Sequence, residues 1–232
     1  MAFPDEILAG FTDNGTNRID VDLWLEQDAY AEPVSLQELK DHLRITDTEI
    51  DSVQEINLGK LITTARRRVE DHTNQALLEQ TWSQTYDRVG RRLKLRRGPR
   101  NCLGVVKIEY ISTLDDDTKR IWDPGQYIVS GDEVLARRTW PTHRGFQSFI
   151  VTYRVGYSAL SEADAGDTDL LAAARAKVPY YLKEAVMEWA GHMWEHPEGS
   201  TDIRYESQAK RNGEIPPGVA ALLEPALDWR LR

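Results

Sequence analysis

The chain has 232 residues, 41% of them hydrophobic and 29% charged, with one cysteine and a formal net charge of −9, the composition of an ordinary soluble protein able to bury a substantial core. No apolar run approaches the roughly 18 residues of a bilayer span, and Met1 is followed by no basic and apolar leader, so neither membrane insertion nor secretion is expected. Lone Cys102 excludes an internal disulfide framework and fits a reducing compartment.

Residues 1–33 show no sustained period, contain Asn14-Gly15 and Pro33, and are rich in acids. They read as an extended N-terminal arm, ordered by contact with something else. Ser35 and Glu38 then form an S-x-x-E capping box, with Val34 and Leu39 at the staple positions, which predicts a first helix over Leu36 to Leu43. A second helix, capped by Thr46 or Asp47, is predicted to end near His72. Its apolar residues Ile50, Val53, Leu58, Leu61, Ile62, Ala65 and Val69 recur three to four apart. Gly59 inside it costs about 0.5 to 1 kcal/mol relative to Ala, as tolerated drift or as a close approach to a neighbouring backbone.

From Gln80 to Tyr157 the pattern changes to short β-rich runs, expected as an antiparallel meander: Thr81 to Arg88, Arg92 to Arg96, Val105 to Ile111, Tyr127 to Val129, Val134 to Arg137 and Phe149 to Val155. Gly131-Asp132 marks a tight hairpin and Asp115 to Asp117 another turn. A polar stretch follows, with a short helix from Asp169 to Ala176. Then comes the strongest helix pattern, with Pro179 in its first turn, Leu182, Ala185, Val186, Trp189, Ala190 and Met193 on one face, and Pro197 as its stop. That face is expected to pack on the second helix. Residues 198–213 are polar, and Ile215-Pro216-Pro217 leads into an apolar tail with Leu222, Leu223, Leu227 and Trp229.

These elements describe an α+β chain: an antiparallel helical bundle (34–79 and 177–197) with an inserted antiparallel β-rich subdomain (80–157), an insertion with a short helix (158–176), and extended N- and C-terminal arms (1–33 and 198–232).

No residue set points to catalysis. His192 and His196 have the i, i+4 spacing of a two-histidine metal site, but Met193 stands where a metalloprotease helix needs Glu, and a helix-end or surface role is the reading adopted. Asp115 to Asp117 lack the Gly and terminal Glu of a calcium loop. Gly59-Lys60 lacks both the first Gly and the Ser or Thr of a phosphate loop, and no G-x-S-x-G elbow occurs. No catalytic residue, metal or cofactor is assigned.

Charge points instead to association. Residues 1–59 carry 14 acids against Arg18, Lys40 and Arg44, whereas residues 60–100 carry 11 bases against four acids, and opposite patches on one molecule attract each other or a neighbouring copy. Seven cations fall within Arg88 to Arg100. On a strand, Arg92, Lys94 and Arg96 share one face while Leu93 and Leu95 point to a core, so the run reads as a solvated or subunit-facing surface. Nucleic-acid binding is the lesser reading, because the whole chain is acidic. Arg66, Arg67 and Arg68 on the second helix are expected to meet the acidic half of an adjacent subunit.

Three sets of residues together resemble the head-tail connector (adaptor, head-completion) family of tailed phages and phage-like particles. They are Ser35-Leu36-x-x-Leu39-Lys40-x-His42-Leu43-Arg44-Ile45, Leu61-Ile62-x-x-Ala65-Arg66-x-x-Val69-Glu70-x-x-Thr73, and Gln80-Thr81-Trp82. The likeness continues through Tyr127 to Val129, Trp140-Pro141, Val151-Thr152-Tyr153-x-x-Gly156-Tyr157 and Val178-Pro179-x-x-Leu182-Lys183-x-Ala185-Val186. It ends at Ile215-Pro216-Pro217-Gly218-Val219-x-x-Leu222-Leu223.

The resemblance implies a non-enzymatic structural protein of the virion neck, assembled in the host cytoplasm, in a phage or a gene transfer agent. It further implies a closed homo-oligomeric ring of about twelve copies, docked beneath the portal protein, extending the DNA channel without specific DNA binding and receiving a stopper or other tail-side neck protein. A different neck or tail-completion protein, a stopper or terminator, is the runner-up. By the same resemblance, Ile215, Pro216, Pro217, Leu222, Leu223, Leu227 and Trp229 are assigned to portal binding. Arg66, Arg67, Arg68, Arg92, Lys94 and Arg96 are assigned to the subunit interface. The strand from Arg91 to Arg97 is more basic than the family pattern.

Overall fold

The computed structural model describes residues 22–46, 50–90, 92–98, 102–112, 118–142, 147–196 and 215–227. By internal contacts the chain forms two units. One comprises Asp28–Gln80, Arg97–Leu103 and Val155 onward; the other comprises the residues up to Gln27, Thr81–Arg96 and Gly104–Arg154.

The first unit is helical. Helix α1 spans Leu36–Leu43, begins at the reciprocal Ser35–Glu38 box and ends on Arg44 at φ 57°. Helix α2 spans Ser52–Thr73 and starts later than expected, because Asp51 and Gln54 form a second capping box. Thr46 is not its cap, and Asp47 lies outside the described residues. The expected apolar face is largely realised: Leu58, Ile62, Ala65 and Val69 are buried, whereas Val53 is 61% exposed. A Cβ on Gly59 would meet nothing within 4 Å, so no neighbouring backbone approaches it.

Helix α3 covers Thr168–Lys177, capped by Asp167, and helix α4 covers Tyr180–Glu195, with Pro179 at its N-cap, just before the predicted first turn. Leu182, Ala185, Val186, Trp189 and Ala190 of α4 join the α2 face in one apolar core, as the periodicity predicts. Helix α5, Pro217–Leu227, closes that core with Val219, Leu223 and Ala226 and packs on α4 and α2. Gly156 sits in this unit at φ 144°, where a Cβ would lie 2.6 Å from the carbonyl group of Leu78. Only glycine permits that approach.

The second unit is built on two sheets rather than the single meander expected. Its strands are β1 (Leu23–Gln27), β2 (Gln80–Tyr86), β3 (Leu93–Lys94), β4 (Cys102–Ile111), β5 (Lys119–Ile121), β6 (Tyr127–Ser130), β7 (Glu133–Ala136) and β8 (Phe149–Val155), of which β2, β4 and β8 run across the boundary between units. One sheet has the order β1-β2-β8-β4-β5 and the other β3-β7-β6. The predicted hairpin is the β6–β7 pair, with Ser130 opposite Glu133 and Gly131 at φ 61° in the turn.

Strand β1 lies inside the segment read as an arm ordered by something else, yet it pairs antiparallel with β2 of its own chain, Trp24 opposite Ser83. Leu93 and Leu95 are each 2% exposed, with Arg92 and Lys94 on the other face, as the alternation requires. Trp122, Tyr127, Trp140 and Phe149 form an aromatic cluster with ring centroids 5.0 to 6.2 Å apart. Residues 115–117 of the predicted acidic turn lie outside the described residues.

Candidate functional site

The most concentrated chemistry in the helical unit is an ion cluster around Arg66. Its guanidinium is 1% exposed and makes four charge-assisted bonds: Nε to Glu32 Oε2 at 2.8 Å, Nη1 and Nη2 to the two oxygens of Asp28 at 3.1 Å, and Nη1 to Glu70 Oε2 at 2.9 Å. Gln80 Nε2 donates to both Asp28 and Glu70, and the Leu77 amide donates to Glu70. Burial alone raises the Asp28 carboxyl, but hydrogen bonds from Arg66 and Arg67 outweigh it and hold the group at about 2. Burial pushes the Glu70 carboxyl up against the pull of Arg66, Leu77 and Gln80. Those three neighbours all donate, which is the setting of a carboxylate rather than a carboxylic acid.

This cluster changes the expectation for Arg66, which answers the acidic half of its own chain and is not on the surface. The acids it holds, Asp28 and Glu32, tie the segment before α1 to α2. Arg67, exposed, also bonds to Asp28 at 2.8 Å, and Arg68 lies 5.7 Å from the centre of the Trp189 ring, a cation–π distance. In the β unit, Arg92 pairs with Glu133 at 3.0 Å and Lys94 stands 4.0 Å from Asp132. Arg96 is half-buried and fixed by its backbone: its amide donates to Gln84, and its carbonyl accepts from the Tyr153 hydroxyl. Acidic neighbours within the chain thus balance much of the basic character of this strand, and Arg91 and Arg100 lie outside the described residues.

The tail residues fall into two groups. Ile215, Pro216 and Leu223 are buried in the helical core, Leu222 and Leu227 are half-buried on α5, and Pro217 is exposed at its start. Gln75 anchors this helix by donating to the Ala226 carbonyl at 3.4 Å. Residues 197–214 and Trp229 lie outside the described residues.

His192 and His196 stack with ring centroids 4.9 Å apart near the end of α4. Burial and the adjacent His196 lower the pKa of His192. Among the described residues no group of three or more His, Cys, Asp or Glu stands together to hold a metal, and no helix is long and apolar enough to cross a membrane. Sequence reasoning missed the Asp28–Glu32–Arg66–Glu70 cluster. Its only local signal was the i, i+4 spacing of Arg66 and Glu70 on one helix.

No protein-family model and no curated protein matches the sequence. Solved structures do share the fold. A chain of the virion of a native gene transfer agent particle aligns at TM-score 0.61 and 18% identity, covering 88% of this chain and 93% of that one. A chain in the neck of an empty gene transfer agent particle, computed with C6 symmetry, aligns at 0.61 and 17%, covering 88% and 94%. One in the neck of a native particle, computed with C12 symmetry, aligns at 0.57 and 17%, covering 88% and 94%. At these identities the likeness is one of fold, and it runs through nearly the whole of both chains.

Proposed function

We propose that this chain is a structural component of the neck of a phage-like particle, a head-tail connector adaptor that forms a ring of about twelve copies beneath the portal. The observation that carries the reading is the fold shared over 88% of the chain with proteins of a gene transfer agent virion and neck. The twelve-fold symmetry with which one such neck was computed supports the copy number, and the motifs from Ser35 to Leu223 that resemble the connector family support the adaptor role.

In this reading the chain works by adhesion, extends the DNA channel and receives the next neck or tail component. The portal contact falls to the C-terminal segment, through the accessible parts of Pro217, Leu222 and Leu227 and through Trp229, while the buried Ile215, Pro216 and Leu223 hold α5 in place. Arg67, Arg68, Arg92 and Lys94 remain candidates for subunit contact. The chain's net charge of −9 suits a channel past which DNA slides.

The same fold likeness admits a stopper or terminator role elsewhere in the neck. Chemical crosslinking of particles separates the two: an adaptor yields crosslinks between residues 215–232 and the portal, whereas a stopper or terminator yields crosslinks to other neck proteins and none to the portal.

A further inference from the structure

Many cations of this chain are answered by its own acids. Arg66 and Arg67 meet Asp28, Arg92 meets Glu133, Lys94 stands near Asp132, and Arg97 and Lys107 meet Asp71 and Glu109. The segment that follows β7 is different. No acid occurs between Glu133 and Glu162, a stretch that carries Arg137, Arg138, Arg144 and Arg154 in a chain of net charge −9. Arg137 and Arg138 are both exposed, and among the described residues neither makes an ion pair.

The fold fixes where these two side chains start. The Arg137 amide donates to the Gln126 carbonyl at 2.8 Å. Trp140 anchors the other end, its ring centre 5.0 Å from that of Trp122 and 5.5 Å from that of Phe149. With both ends held, binding through Arg137 and Arg138 orders little new backbone. Acids beside this region hold other groups: Asp123 accepts the Gly125 amide at 2.8 Å, and Asp87 and Asp22 accept from Gln147.

An exposed arginine pair suits an oxygen-rich anion, and a guanidinium offers phosphate two parallel N–H bonds. Between Ala136 and Thr142 no large apolar side chain is exposed. A protein partner needs such an anchor, whereas a phosphate backbone is met by charge alone. In a ring of about twelve copies the pair recurs in every copy, so weak contacts add.

We propose that Arg137 and Arg138 contact the phosphate backbone of duplex DNA passing through the ring. This contact rests on the ring reading and names the residues that touch the DNA. It reads no base, so the duplex is steadied without being held at one sequence.

The test uses DNA-filled particles whose chain carries Thr139→p-benzoylphenylalanine, irradiated and imaged in parallel. The contact predicts covalent adducts of this chain with DNA. Adding Arg137→Glu and Arg138→Glu should lower their yield about tenfold or more while the ring stays in place, because both side chains are exposed. Rings at the neck without DNA adducts, including adducts only to a neck protein or a second copy, overturn the contact but leave the ring. A DNA yield that the two substitutions leave unchanged does the same. Absence of any ring of this chain overturns the ring reading and the contact with it.

Discussion

Replacing Arg66 with Met removes the cation that bonds to Asp28, Glu32 and Glu70 together, while keeping a side chain of similar reach. Glu70 is 4% exposed, so it would keep the Leu77 and Gln80 hydrogen bonds and the weaker pull of Arg97 but lose the cation bonded to it, and breaking a buried pair from one side costs about 3 to 5 kcal/mol. Against a total stability of about 5 to 15 kcal/mol, the loss would be plain in urea melts at pH 7. Removing the carboxylate as well, as Arg66→Met with Glu70→Met, should recover much of the loss, because an apolar pair leaves no stranded charge.

The pH dependence carries its own sign. Asp28 titrates at about 2 instead of 3.8, so its contribution is fully present above about pH 4 and is lost as the pH falls towards 2. Glu70, whose pKa is raised, acts in the opposite direction, and without Arg66 it rises further. The gap between wild type and Arg66→Met should therefore narrow as the pH falls from 7 to 4. A gap below about 1 kcal/mol at pH 7, or one that does not change with pH, would refute the assignment of Arg66 as the cluster's counter-ion.

Three further perturbations test the packing. Ser35→Ala removes the hydroxyl that accepts the Glu38 amide at 3.1 Å and should cost about 1 kcal/mol, read as a lower urea midpoint. Gly156→Ala would force a Cβ to 2.6 Å from the Leu78 carbonyl at a positive φ, so a loss of about 1 to 3 kcal/mol is expected in thermal melts; an unchanged melting temperature would show that the Leu78 backbone yields. Leu223→Ala empties a position that is fully buried between α5 and the bundle and should cost about 2 to 5 kcal/mol. It should also speed proteolysis in α5 before the rest of the chain, and uniform protection would argue against α5 docking through this residue.

How much was legible follows from where the signals lie. Boundaries set by local chemistry could be read: the Ser35–Glu38 box placed α1, the Leu93–Leu95 alternation placed the buried face of its strand, and Gly131-Asp132 placed a hairpin. Elements without a buried face could not. Strand β1 is exposed over most of its length and β5 over all of it, so neither carries the period that burial imprints. The sheet order also escaped, because β2 pairs next to β8, more than 60 residues away, while hydrophobic runs suggest only neighbouring hairpins. The start of α2 was misplaced for a smaller reason: Asp51 and Gln54 form the same reciprocal cap as Ser35 and Glu38, with Asp in place of Ser.

The charge asymmetry was legible as a number but not as geometry. Residues 1–59 and 60–100 do attract, yet Asp28, Glu32 and Arg66 satisfy part of that attraction inside one chain. An arginine buried to 1% on a helix is rare enough that sequence reasoning places it on the surface by default. The tail differs again. Its apolar pattern was visible, and folding divides it into residues that hold α5 and residues that stay accessible.

Cryo-electron microscopy of particles that carry this chain, with the neck reconstructed without imposed symmetry, tests the central claim most directly. The account predicts density for this fold in a closed ring of about twelve copies in direct contact with the portal, with residues 215–232 at that contact. A ring elsewhere in the neck would contradict the adaptor role, and absence of the fold from the neck would contradict the structural reading altogether.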